Sequence, residues 1–277
     1  MLMLFFRIVA LCAAIVVVTG CDFGRGVEET ETLPVEEMYA EANQSMRAGN
    51  YERAIRYYRR LIARFPIGEY SEQSELELGY ALFKNRDYEE ALSQVNRFIR
   101  QYPTHRQIDY AFYLRGLVNF EREAGLLERW VKSDATRRDQ GFARQSFQDF
   151  GELLQRFPDS RFAPDARQRM IHLRNDLAQA ELNIAIYYFR RGAYVAAQSR
   201  AQTILEIYQE TPQAAEALAI MAESYARLGQ DKLAADTRSV LELNYPDHPY
   251  LRGAWPAEDN LLWQLVPFIG EGRARGG

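Results

Sequence analysis

Residues 59–66 read Arg59-Arg60-Leu61-Ile62-Ala63-Arg64-Phe65-Pro66, an amphipathic helical run that stops on an aromatic and a proline. The same ending returns at Asn96 to Tyr102-Pro103, Gly151 to Phe157-Pro158, Gln202 to Tyr208-Gln209 and Ser239 to Tyr245-Pro246. Its last position advances by 37 residues from 66 to 103, and by 37 again from 209 to 246. From 103 to 158 the step is 55, an insertion of 18, and from 158 to 209 it is 51. Twelve residues before each ending stands a small residue: Ala54, Ala91, Ser146, Ala197 and Ala234. A turn and an aromatic precede three of them, at Gly49-Asn50-Tyr51, Asn85-Arg86-Asp87-Tyr88 and Gly192-Ala193-Tyr194. Repeats at a fixed period of this size are the signature of stacked supersecondary units.

The pattern resembles the tetratricopeptide repeat, a helix–turn–helix unit with a small residue twelve places before a proline. Small residues let two helices approach closely, and the proline ends the second helix. The other small position, a further twelve back, is met by Ala42, Gly79, Ala185 and Ala222, and Gly116 fills it in the third unit. The expected fold is all-α: ten helices in five pairs, stacked as a superhelix with a concave side. A period of 37 implies longer turns between repeats. Thr104 with Gln107 reads as a capping box before the third unit, and Thr211-Pro212 as an N-cap before the fifth.

Upstream, residues 1–20 carry one charge, Arg7, followed by eleven apolar residues from Ile8 to Val18. That is too short to span a bilayer, which takes about 20 residues, and it suits a signal-peptide core. Val18-Thr19-Gly20-Cys21 resembles the bacterial lipobox, which implies removal of 1–20 and acylation of Cys21. Three acyl chains anchor a protein durably, at about 0.8 kcal/mol per buried CH₂. Asp22 resembles an inner-membrane retention signal of enteric bacteria and weakens an outer-membrane assignment. Residues 21–34 are small, acidic and aperiodic, a flexible tether. The expected layout is then repeats 1–3 over 35–158, repeats 4–5 over 159–246 and a tail over 247–277.

The 277 residues are 47% hydrophobic and 26% charged, ordinary values for a globular chain. A net charge of −4 speaks against a nucleic-acid partner. Three His, and two Cys that both fall in the first 21 residues, leave no cluster for a metal. No H-E-x-x-H, Gly-x-Ser-x-Gly or phosphate-binding glycine loop is present, so neither a catalytic residue nor a cofactor is expected. His105, His172 and His248 read as capping or solvated residues.

Repeat superhelices bind peptides along the face lined by the first helix of each pair. Those helices offer Tyr39, Asn43, Tyr80, Phe83, Tyr110 and Tyr113, with Arg115 alongside. Chaperone adaptors that grip acidic C-terminal peptides use Lys and Asn at these sites. Tyr39 and Tyr80 stand there instead, so that clamp is not built. Residues 121–138 are charge-rich and read as a solvated loop. The tail carries Trp255, Leu261, Leu262, Trp263, Leu265, Val266, Phe268 and Ile269, and reads as a cap on the last repeat.

Several blocks carry a more specific likeness. They are Phe65 to Ser71, Tyr80 to Asn85, Pro103-Thr104-His105, Ile108-Asp109-Tyr110 and Tyr113 to Leu117. Further on come Arg138-Asp139, Ala143-Arg144, Phe147 to Phe150, and Arg191 to Ala196 with Arg200. With the lipobox, these resemble the BamD family of outer-membrane assembly lipoproteins. The resemblance implies a lipid-anchored, non-enzymatic subunit on the periplasmic face of the outer membrane. Its C-terminal repeats would bind the POTRA domains of BamA, through Arg200, Arg191 and Tyr194. Its N-terminal repeats would receive segments of unfolded β-barrel proteins, and other lipoproteins of the complex would be neighbours. The alternative is a repeat lipoprotein that organises cell-wall or division enzymes; it would lack the Arg115-Gly116 block and the Arg191 to Val195 pattern.

Overall fold

The computed structural model describes residues 33–129 and 140–255. Among them are ten α-helices: α1 (Val35–Arg47), α2 (Tyr51–Arg64), α3 (Glu69–Lys84), α4 (Tyr88–Gln101), α5 (Ile108–Arg129), α6 (Gly141–Arg156), α7 (Ala163–Arg190), α8 (Tyr194–Ile207), α9 (Ala214–Arg227) and α10 (Asp231–Asn244). A short 3₁₀ helix, Pro249–Arg252, follows. The chain divides into two compact units, α1–α4 up to Tyr102 and α5 onward from Pro103. In each unit every helix packs on the next, and α3 also touches α1 as α9 touches α7. This is the five-pair tetratricopeptide-like arrangement that the repeat spacing predicts.

Turn chemistry explains the pairing. Within a pair, the first helix ends on a residue at positive φ: Gly49, Arg86, Gly192 or Gly229. The amide after each reaches back to the last turn, as Asn50 N–H does to Ser45 C=O at 2.9 Å and Ala193 N–H to Tyr188 C=O at 3.0 Å. Arg86 takes at φ 67° the place that glycine fills elsewhere. Asn50 caps α2 by accepting from the Arg53 amide at 3.1 Å. Second helices end on Phe65, Tyr102, Phe157, Tyr208 and Tyr245, each with its N–H bonded four residues back. All five leave the helical region (φ −122° to −140°, ψ 39° to 73°), which a following proline disfavours in four of them, and Tyr208 does so before Gln209.

The small positions are the points of close approach. Ala42, Ala54, Ala91, Ala185, Ala197 and Ala222 have no exposed surface. In the third pair a Cβ on Gly116 would fall 2.6 Å from the Phe150 ring, so nothing larger than glycine fits. Ser146 opposite is fully buried and donates its hydroxyl to the Gly116 carbonyl at 2.9 Å. Around these contacts sit Tyr58, Phe98, Phe112 and Phe150, each about 1.5–3 kcal/mol more favourable buried than exposed. The Tyr58 hydroxyl meets the Asn43 side-chain carbonyl at 3.0 Å, and burial pushes its ionisation well up.

The two breaks in the period resolve differently. The fourth pair absorbs its fourteen extra residues into α7, which runs for 28 residues, so about four added turns keep the same face inward. The third pair carries its insertion after Gly116. Residues 121–129 continue α5, which corrects the loop reading for that stretch, and 130–139 lie outside the described residues.

Two caps differ from expectation. The Gln107 amide is taken by His105 Nδ1 at 3.1 Å, because α5 begins at Ile108, too late for Thr104 to serve as its N-cap. Thr211 is buried and donates to the Tyr208 carbonyl at 2.7 Å, while α9 starts at Ala214. Past α10, His248 accepts from the Tyr250 amide, and its Nε2 lies 3.2 Å from Glu216. Trp255 donates to the same carboxylate at 2.8 Å and packs with Tyr250 and Leu251 over Leu218 and Leu241. The cap reading of the tail therefore describes residues 248–255; Leu261 through Ile269 lie outside the described residues.

Candidate functional site

The first helices of the pairs carry the aromatic residues singled out in the sequence, and each of these is half-buried. In the first unit Tyr39 packs between Tyr58 and Tyr70, with ring centroids 6.3 and 5.4 Å away. Asn43 supports that group through Tyr58. Tyr80 and Phe83 lie on α3, 6.2 Å apart, and Phe83 meets Tyr88 at 6.3 Å. Tyrosine and phenylalanine give large contact area with few rotors to freeze, which suits a surface that receives apolar side chains.

In the second unit Tyr113 stacks on Phe162 at 4.7 Å and 15°, and Tyr110 meets the same ring at 5.2 Å. The Tyr113 hydroxyl donates to Asp165 at 2.5 Å; burial and that carboxylate push its pKa up to about 12. Arg169 Nε donates to the same Asp165 oxygen at 2.6 Å. The sequence reading passed over Tyr70 and Phe162. Tyr70 stands in the quoted Phe65 to Ser71 block, and Phe162 stands just before Pro164 in the first turn of α7.

Arg115 is 14% exposed and closed into a network. Its Nε lies 2.9 Å from Asp149 as an ion pair without hydrogen-bond alignment, and it also bonds Glu152. Asn119 and Gln145 donate to Asp149 at 2.7 and 3.2 Å. Burial drives the Asp149 pKa upward, and Arg115 and these donors pull against it.

The residues expected to face BamA lie on α8 or just before it. Arg191 is exposed and lies over the Tyr187 ring at 4.7 Å. Tyr194 packs edge-on against Phe189 at 5.4 Å. Arg200 is 46% exposed and donates to Glu181 at 3.1 Å. Glu181 is a carboxylate on the buried face of α7, among Leu177, Ala178, Leu182 and Ala185. A lone acid at those core spacings was the signal for it in the sequence. Cys21 lies outside the described residues.

Among the described residues no group of His, Cys, Asp and Glu could hold a metal, and no helix is long and apolar enough to cross a membrane. The paired helices, small-residue contacts and half-buried aromatic faces define a helical-repeat scaffold of the tetratricopeptide class. The TPR2AB–pHSP90 complex of yeast Sti1 is one structural neighbour, with a TM-score of 0.44 at 15% identity over 78% of this chain and 79% of that one.

More specifically, the chain belongs to the YfiO family of outer membrane lipoproteins, which matches residues 31–241. The outer membrane protein assembly factor BamD of Xylella fastidiosa is 42% identical over 96% of this chain and 91% of its own length. Its counterpart in Neisseria meningitidis is 43% identical over 85% and 88%. That of Vibrio cholerae is 36% identical over 81% and 92%. These relatives are assembly factors by name, and this chain is a scaffold of the same family, not an enzyme.

Proposed function

We propose that this chain is the lipid-anchored subunit of the β-barrel assembly machinery that links BamA to incoming barrel proteins. Cys21 carries the acyl chains, and residues 22–34 tether the repeats to the periplasmic face of the outer membrane. The repeats of 159–246 bind BamA's POTRA domains, and those of 35–158 receive unfolded barrel segments on the aromatic faces around Tyr39, Tyr80 and Tyr113. Other lipoproteins of the complex assemble on the same scaffold. The observation that carries this reading is Arg200: within a family match covering most of the chain, α8 presents its guanidinium half in solvent. Arginine there can clasp a partner carboxylate through two parallel hydrogen bonds, which lysine would not reproduce.

Arg200→Glu is expected to weaken co-purification of BamA while helicity stays intact; unchanged co-purification would remove the assignment. On the aromatic side, replacing Tyr80 and Tyr113 together with Ala is expected to reduce crosslinking to barrel-protein C-terminal peptides. Persistent crosslinking with only a lowered melting temperature would make both residues core.

A further inference from the structure

Glu181 serves two cations at once. Its side chain is 5% exposed, and its two oxygens face different helices. Oε2 accepts from Arg200 Nη1 of α8 at 3.1 Å, and Oε1 from Arg144 Nη2 of α6 at 3.4 Å. Arg144 also donates to Gln140 at 3.0 Å. The two arginine side chains stay 54% and 46% exposed while the acid between them is hidden. One carboxylate against two arginines leaves a net positive charge at the surface, where both cations meet water.

We infer that Arg144 and Arg200 form a single receptor for a carboxylate side chain on the partner protein, with Glu181 as the buried post that holds both; this rests on the reading that the C-terminal repeats bind BamA. Each guanidinium has five N–H donors, and Glu181 engages one nitrogen of each. An incoming carboxylate completes an alternating ring of two acids and two arginines. Both long side chains are already oriented by Glu181, so less rotamer freedom is lost on binding. Ile207 lies seven residues beyond Arg200 on the same face of α8 and is 63% exposed, an apolar side chain that a partner can cover next to the charged pair. The third pair, through Arg144, thereby joins the contact that the sequence placed in the C-terminal repeats, the fourth and fifth pairs.

The test is a double-mutant cycle on the full-length protein in detergent, with the POTRA domains of BamA as the titrant. Arg144→Ala and Arg200→Ala are each expected to weaken binding roughly tenfold, and the double variant by clearly less than the product. Glu181→Gln is expected to weaken binding as well, because both guanidiniums lose their post. Parental affinity for Arg144→Ala beside a weakened Arg200→Ala would overturn the inference and leave the BamA reading standing. Parental affinity for both would overturn the reading itself. Co-sedimentation with phosphatidylglycerol vesicles should be the same for all variants; a loss confined to the arginine variants would assign the pair to lipid phosphate and overturn the inference.

Discussion

Asp149 and Glu181 are equally hidden carboxylates, each 3% exposed, yet they sit in opposite electrostatic settings. Asp149 in the third pair faces Arg115, itself 14% exposed, and takes two further amide donors from Asn119 and Gln145. Glu181 in the fourth pair faces two arginines that are half in solvent. In the first network the cation is buried along with the acid, and only Glu152 and its second partner Arg156 reach solvent. The second turns a buried acid into a mount for surface cations. Buried ion pairs add little net stability but are costly to break, so the Arg115–Asp149 pair matters to folding. Exposed pairs contribute little to stability, so the open one is available to a partner.

The contrast breaks most sharply at Arg115. Arg115→Ala leaves Asp149 buried without its cation and is expected to cost about 3–5 kcal/mol, read from the urea-unfolding midpoint. Gly116→Ala places a methyl group against the Phe150 ring and is expected to cost about 1–3 kcal/mol in the same measurement. Arg144→Ala and Arg200→Ala on the open side are each expected to cost less than about 1 kcal/mol. A loss as large as that of Arg115→Ala at either position would erase the distinction.

The smallest expected effect is one of pH. Burial raises the pKa of Glu77 despite the hydrogen bond from Gln73. Folding therefore disfavours its charged form. The stability this group supplies is lost as pH rises through its folded pKa and fully regained below the ordinary carboxyl value near 4.5. The melting temperature of the parent, relative to Glu77→Gln, is thus expected to climb as pH falls from 7 toward 4.5. A flat difference would show that Glu77 ionises in the fold as freely as in the unfolded chain.

The helix pairs were legible because their determinants are local. An aromatic before proline, a small residue twelve places earlier and a glycine between helices each act within one turn or one hairpin. Gly116 was legible for the same reason, since its thirteen-residue distance from Pro103 matches that of Gly79 from Pro66. The length of α7 was not, because fourteen extra residues of good helix former look the same in a helix or a longer connection. Thr104 and Thr211 were misplaced as caps because a cap depends on which residue begins the helix, and both helices begin later than their threonines. The pairings of Arg115 and Arg200 were hidden for a different reason: Glu181 stands out as an acid at core spacings, but Asp149 and Glu181 lie on neighbouring helices, and only the packed register brings them within reach of their arginines.

If this scaffold serves barrel assembly through BamA, the two proteins leave the outer membrane together. Full-length protein captured from detergent-solubilised outer membranes tests it most directly, with the co-purifying proteins identified by mass spectrometry. BamA and the other assembly lipoproteins are expected as the dominant partners, depleted by Arg200→Glu. Recovery from the inner membrane with cell-wall synthesis or division enzymes, and without BamA, would contradict it.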